Sequence, residues 1–207
     1  MIRAVVEVAG RRIELERPRD RESVSDRSNP RPVWPVPWPA GIALAETILA
    51  GEIPLPPGPA IELGCGLGLV GIAAALAGRA VTFTDREPRA VDLAIRNAHA
   101  NGARDVRGLV MDWERPADER APWILASDVL YERRLEPILL AAIRSLLAPG
   151  GEAWIAGPRR ASAATLPEAA RRAGWEVESH SHERRDQSIA IFVLRGNETG
   201  LPGVEPA

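Results

Sequence analysis

From Ala60 onward the apolar positions of the chain alternate between two spacings. Short β-prone runs at Ala60–Leu63, Ala80–Thr84, Val106–Val110, Trp123–Ala126 and Ala153–Ala156 read as strands. Between them, apolar residues recur every three or four positions, the mark of an amphipathic helix. These helices cover Leu69–Ala77, Pro88 to about Asn101-Gly102, Leu135–Leu146 (closed by Pro149-Gly150-Gly151) and Leu166–Ala173. Strands alternating with helices imply a parallel sheet covered on both faces. The last part departs from this rhythm. Trp175–His182 and Ser188–Arg195 have no room for a helix between them and pair as a hairpin. Ile189–Leu194 is apolar throughout and belongs inside the sheet, whereas the alternating, polar Trp175–His182 suits an edge. The final strand therefore inserts antiparallel beside strand five of the sheet.

The region before Ala60 is organised differently. Ile2–Ala9 and Arg12–Arg17 flank a turn at Ala9-Gly10-Arg11 and read as a second hairpin. Pro18–Asn29 is charged and reads as a mobile loop, and ten of the 19 prolines fall between Pro18 and Pro59. Within that lead-in, Pro39 opens a helix carrying Ile42, Ala45, Ile48 and Leu49, with Gly51 as its stop. The organisation expected is a hairpin and loop over 1–30, an α/β domain over 31–195 that includes a Trp/Pro-rich lead-in at 31–59, and a flexible tail at 196–207.

Composition narrows the chemistry. With 207 residues, 45% hydrophobic and 26% charged, and a net charge of −2, the chain is ordinary globular protein. No apolar stretch nears the roughly 20 residues of a membrane helix, and Met1–Arg12 lacks the apolar core of a secretory signal. The lone Cys65 excludes an internal disulfide and suits a reducing, cytoplasmic setting. Near-neutral charge argues against a nucleic-acid partner. All 26 basic residues are arginine, so a Walker-type phosphate loop and a Schiff-base lysine are excluded.

The strongest motif is Glu62-Leu63-Gly64-Cys65-Gly66-Leu67-Gly68, which leaves a strand and opens a helix. Such a turn bends tightly and lets backbone approach a ligand. A dinucleotide fingerprint would need glycine where Leu69 stands, and phosphates do not favour a carboxylate at Glu62. A carboxylate there suits a cationic ammonium or sulfonium ligand, and S-adenosylmethionine (AdoMet) carries both. Asp85 ends the next strand, 21 residues after Gly64, close to the ~20 expected for an acid that binds ribose hydroxyls. Its bland alternative is a helix cap before Pro88. Asp112-Trp113 ends strand three, where an aspartate accepts from an adenine amine and an indole packs on the purine; a core tryptophan beside a capping aspartate is the competing reading. Ser127-Asp128-Val129-Leu130-Tyr131 ends strand four, where substrate meets cofactor in open α/β sheets. The two prolines of the related base-methylating motif are absent there. Trp154 and Trp175 read as packing residues. His180 and His182 share a strand face but have no third ligand nearby, and no metal is expected. Pro32–Ala40 reads either as a polyproline ligand or as a rigid lid over the cofactor's methionine end, and the lid reading is preferred.

In sequence order, Trp38-Pro-Ala-x-x-x-Ala, Glu62-Leu-Gly-Cys-Gly-Leu-Gly-Leu-Val-Gly, Thr82-Phe-Thr-Asp85, Asp112-Trp113 and Ser127-Asp128-Val-Leu-Tyr131 resemble the family-16 methyltransferases. These are class I, seven-β-strand, AdoMet-dependent enzymes, many of which methylate lysines of non-histone proteins. The resemblance implies a Rossmann-like doubly wound sheet of order 3-2-1-4-5-7-6 with strand seven antiparallel. It further implies that Trp38 and Ser127 contact the cofactor and that Gly64, Cys65 and Gly66 form its backbone cradle. Asp85 would take the ribose, Trp113 would neighbour the adenine, and Asp128 and Tyr131 would stand at the acceptor's entrance. Trp34 receives no role from it.

The expected activity is methyl transfer from AdoMet, releasing S-adenosyl-L-homocysteine (SAH), to a lysine amine of a protein. Asp128 and Tyr131 are expected to orient that amine, with Asp128 a candidate proton acceptor. Competing readings are the same chemistry on a small-molecule amine or other nucleophile, and a non-catalytic module that binds AdoMet or docks a partner. Arg159–Leu166 and Glu183–Gln187 are the loops expected to choose the acceptor. The oligomeric state is left open; a monomer is compatible with everything above.

Overall fold

The structure is a computed structural model that describes residues 1–20, 32–130, 132–158, 165–184 and 187–196. The loop expected over Pro18–Asn29 falls mostly outside these residues, as do Tyr131, most of Arg159–Leu166 and the tail after 196.

Nine strands and five helices are described: β1 (Ile2–Val8), β2 (Arg11–Arg17), α1 (Pro39–Ala50), β3 (Ala60–Leu63), α2 (Leu69–Leu76), β4 (Val81–Asp85), α3 (Pro88–Ala100), β5 (Val106–Val110), β6 (Ala121–Ser127), α4 (Leu135–Leu146), β7 (Leu147–Pro158), α5 (Leu166–Arg172), β8 (Trp175–Arg184) and β9 (Gln187–Gly196). Seven strands form one sheet in the order β5-β4-β3-β6-β7-β9-β8. Counted from β3 this is 3-2-1-4-5-7-6, as expected. β9 runs antiparallel to both its neighbours, and the other adjacent pairs are parallel. β3 is buried along its whole length, which its run of apolar side chains and one carboxyl must satisfy from both sides.

Two apolar layers flank the sheet. One packs α1, α2, α3 and the inner face of the N-terminal hairpin (Val6, Val8, Ile13, Leu15) against it. The other packs α4 and α5 through Leu139, Ile143, Leu146 and Ala170. Trp154 is fully buried and meets Trp123 edge-to-face at 5.1 Å between centroids, and Trp175 is buried in the second layer. Both act as packing residues. No helix among the described residues is long and apolar enough to cross a membrane.

One element differs from expectation. Pro149-Gly150-Gly151 does not simply close α4; it lies inside the 12-residue strand β7. Partners jump from Ala121↔Leu147 to Trp123↔Glu152, so two steps on β6 face five on β7. The extra residues form a bulge. Gly150 takes φ 72° there, and a Cβ on Gly151 would lie 2.6 Å from the Pro122 carbonyl oxygen.

The hairpin turns through Ala9 and Gly10, both at positive φ, and attaches to α3 by side chains. Asn97 Oδ1 accepts from Glu16 N–H at 2.8 Å, and its amide donates to the Glu16 carbonyl at 3.1 Å. One helical turn later Asn101 repeats both bonds with Glu14, at 2.9 and 2.7 Å. Two asparagines thus complete the open edge of β2. Asn97 also donates to the Leu67 carbonyl at 3.0 Å, tying the hairpin to the glycine-rich turn.

Candidate active site

The carboxyl ends of β3, β4 and β6, together with the segment following β5, open into a cavity of about 450 Å³ roofed by the lead-in to α1. In open α/β sheets ligands bind at this topological switch point. The turn Gly64–Gly68 forms its floor. Gly64, Gly66 and Gly68 all have positive φ. A Cβ on Gly66 would meet the Trp34 carbonyl oxygen at 2.9 Å, so glycine is what lets the roof close on this turn.

Glu62, on fully buried β3, is 2% exposed. Its Oε2 accepts from Gly71 N–H at 2.9 Å. Burial is the main reason its pKa rises to about 8 from 4.5; nearby Asp85 adds to the rise, and backbone donors oppose it. Near neutral pH the carboxyl is therefore mostly protonated, and a cation placed beside it would draw it into the ionised form. Gly71, the last glycine of the quoted motif, is a partner to which sequence reasoning gave no role: a Cβ there would fall 2.6 Å from Glu62 Oε2 and 2.4 Å from the Phe83 ring. Its signal was a lone glycine within the apolar run of α2.

Asp85 ends β4 nearly buried. Its Oδ2 accepts from Gly66 N–H at 3.1 Å and its Oδ1 from Glu87 N–H at 3.0 Å. Desolvation raises its pKa and these donors oppose the rise. The N-cap of α3 is Glu87, whose side chain accepts from Arg89 N–H, so Asp85 braces the glycine turn and is not that helix's cap. Cys65 is buried beside both acids. Desolvation first, then Asp85 and Glu62, hold its thiol far above its ordinary pKa, which makes it an inert wall and not a nucleophile.

Asp112 is exposed, and its Oδ1 accepts from Glu114 N–H at 3.0 Å, forming a turn that presents Trp113. The Trp113 ring faces Gly64, lying 3.3 Å from where a Cβ would stand. Trp38 lines the roof, and its indole N–H donates to the Val33 carbonyl at 2.9 Å. The lead-in is thereby folded onto itself along the cavity wall. Ser127 and Asp128 close the far wall.

Asp128 does something the sequence did not suggest. Its Oδ2 accepts from the N–H groups of Ala40 and Gly41, at 2.8 and 3.3 Å, and so caps α1 from almost ninety positions downstream. Every expected site residue among those described, Trp38, Glu62, Gly64, Cys65, Gly66, Asp85, Asp112, Trp113, Ser127 and Asp128, faces this one cavity. Tyr131 lies outside the described residues. His182 sits elsewhere, with Nε2 at 3.0 Å from Glu46 Oε2 between β8 and α1. Among the described residues no three metal-ligating side chains cluster.

Charge sets what the cavity can hold. Seven carboxyl groups line it (Glu62, Asp85, Glu87, Asp112, Glu114, Asp128 and Glu132) against two guanidiniums, Arg86 and Arg134. A diphosphate would be repelled by such a lining, and a cationic nucleoside is favoured. The residues present fit AdoMet, with an acid for its ammonium group, paired oxygens for ribose hydroxyls and an indole for its purine.

Comparisons with known proteins place the chain among methyltransferases of this fold. The mouse "EEF1A lysine methyltransferase 3" is 33% identical over 129 residues, covering 60% of this chain and 55% of that protein. The zebrafish (Danio rerio) "Protein N-lysine methyltransferase METTL21A" is 35% identical over 119 residues, covering 54% of each. The chain thus spans about half the length of the curated relatives it matches. Magnesium protoporphyrin IX methyltransferase from Synechocystis, solved with bound SAH, superposes with a TM-score of 0.62 at 15% identity over 75% of this chain and 83% of its own, a likeness of fold. The model of the lysine methyltransferase family Methyltransf_16 matches residues 32–165, well over half of the chain, and the protein belongs to that family.

Proposed function

We propose that this protein transfers a methyl group from AdoMet to a lysine amine of a protein substrate. The observation that carries the reading is the carboxyl-lined cavity over the glycine turn, with the buried Glu62 carboxyl at its base. AdoMet supplies an electrophilic methyl on a sulfonium, and the transfer is an in-line displacement. Glu62 would hold the ammonium group, and Gly64, Cys65 and Gly66 would cradle the ligand with backbone. Asp85 would accept the ribose hydroxyls, Asp112 and Trp113 would meet the adenine, and Trp38 and Ser127 would enclose the remainder.

The protein's main contribution is placement, which is worth roughly 7–11 kcal/mol in well-oriented reactions. The acceptor must also arrive neutral. A free lysine of pKa ~10.4 is neutral about once in 2,500 at pH 7, a cost of ~4.6 kcal/mol. Desolvation at the mouth and the adjacent sulfonium both favour the neutral amine. Asp128 stands in the wall of that mouth, and Tyr131 remains the residue proposed to orient the amine. A lysine on a protein is favoured because the relatives at 33 and 35% identity are named as lysine methyltransferases. A cytoplasmic site of action is part of the same reading and rests on the chain's single cysteine, Cys65.

The test is incubation with radiolabelled AdoMet and fractionated cell extract, before and after protease treatment. Label is expected in protein, released by protease as methylated lysine. Label confined to small molecules after protein removal would replace the lysine reading with that of a small-molecule amine.

A further inference from the structure

Helix α1 begins without a capping side chain of its own. Trp38 occupies its N-cap position and makes no capping bond, Pro39 follows, and the first turn contains no acidic residue. The first N–H groups of a helix need acceptors, and its positive end favours a negative charge. Asp128 meets both needs from the end of β6, accepting from Ala40 and Gly41 N–H at 2.8 and 3.3 Å.

The surroundings are built for this contact. A Cβ on Gly41 would lie 3.1 Å from Ser127 Oγ, so glycine there lets α1 settle on the tip of β6. Asp128 itself sits at φ 53°, a left-handed conformation that side chains other than Asn and Asp rarely adopt. Its own N–H donates to the Ala156 carbonyl on β7 at 3.0 Å, which anchors it to the sheet. Strain held this way at a cavity wall points to a role for the residue held.

We propose that Asp128 is a positioning residue: its carboxylate fixes the first turn of α1 and thereby holds the Trp38 lid over the AdoMet cavity. This rests on the AdoMet reading of that cavity and replaces proton acceptance as the role of Asp128. The chain of contacts is short. Asp128 holds Ala40 and Gly41, these follow Trp38 and Pro39, and the Trp38 indole in turn holds the Val33 carbonyl. The carboxyl end of β6 at the cavity wall and the roof above it therefore share one carboxylate. In this reading the Asp128 carboxylate serves the helix, and the acceptor's proton passes to solvent at the mouth.

Two variants separate the roles. Asp128→Asn keeps an acceptor oxygen and tolerates positive φ. Asp128→Gly removes the carboxylate while relieving the strain, so its losses are not due to backbone distortion. SAH binding by calorimetry needs no knowledge of the acceptor, and amide exchange at residues 39–42 reads the first turn directly. Expected for Asp128→Gly are faster exchange at 39–42 and about tenfold weaker SAH binding. Asp128→Asn should recover most of both, and most of the labelled methyl incorporation. If Asp128→Asn keeps SAH affinity but loses methyl incorporation to the level of Asp128→Gly, the residue is a proton acceptor and the proposal is overturned. Unchanged exchange and affinity in Asp128→Gly would overturn it too. Should Asp128→Gly not fold, Asp128→Asn still decides: SAH affinity lost with exchange at residues 39–42 unchanged refutes the cap. A wild-type protein that binds no SAH instead refutes the AdoMet reading itself.

Discussion

Replacing Glu62 by Gln is expected to stabilise the ligand-free protein increasingly as pH rises, while weakening its hold on AdoMet. Glu62 is 2% exposed, and its pKa is about 8 in the fold against 4.5 for the ordinary group. The folded state therefore binds a proton that the unfolded chain releases. This contribution to stability is fully present below pH 4.5 and is lost progressively as pH climbs through 8. At 1.36 kcal/mol per pKa unit, the loss is about 1 kcal/mol at pH 5, about 3 at pH 7 and about 5 at pH 9. Glutamine does not ionise, and its amide oxygen can still accept from Gly71 N–H. Its extra N–H groups add an offset that does not change with pH, so the slope is the quantity to read. Urea unfolding of both proteins at pH 5, 7 and 9 should show the stability difference shifting by about 4 kcal/mol in favour of the glutamine variant from the lowest to the highest pH. Parallel pH profiles would refute the claim that burial keeps this carboxyl protonated. A second consequence belongs to the wild type. Binding of SAH, with its ammonium group, should release about one proton from Glu62 near pH 7, measurable by calorimetry in buffers of different ionisation heat and missing in the variant.

Gly66→Ala should abolish SAH binding and destabilise the fold by roughly 1–3 kcal/mol, since a Cβ would lie 2.9 Å from the Trp34 carbonyl oxygen at φ 53°. Gly78→Ala, also at positive φ but with nothing within 4 Å, is the control; thermal melts and calorimetry check both. Asp85→Asn places an amide against the donors of Gly66 and Glu87 and should weaken SAH at least tenfold, but should weaken an analogue lacking the ribose hydroxyls much less. Asn97→Ala and Asn101→Ala should each loosen the hairpin by about 1 kcal/mol in chemical unfolding. Only Asn97→Ala should also weaken SAH binding, because only Asn97 holds the Leu67 carbonyl of the glycine turn.

The sheet was legible because β3, β4, β5 and β6 are short β-prone runs and helices of clear period stand between most of its strands. The order of the last two strands followed from Ile189–Leu194 being apolar on both faces, as a buried strand requires. The glycine turn and the acids that follow were legible because their chemistry is local: residue types at fixed spacing from a strand end. Contacts between distant segments were not. No local pattern announces that Asp128 caps a helix starting at Pro39, or that Asn97 and Asn101 complete a strand edge more than eighty positions upstream. Pro149-Gly150-Gly151 misled for a related reason. Proline and glycine mark a break in either helix or strand, and only the partner β6 shows that this break is a bulge within β7.

The attachment of the hairpin to α3 matches two different molecular rulers. Four residues of helix advance about 6.0 Å, and two residues of antiparallel strand about 6.8 Å, so Asn97 and Asn101 fall almost opposite Glu16 and Glu14. The mismatch of about 0.8 Å is absorbed by hydrogen bonds across two rungs, but a third would be out by about 1.6 Å. Lengthening β2 along α3 would therefore gain nothing, and inserting a single residue between Asn97 and Asn101 would unfasten one rung whichever way the strand slid.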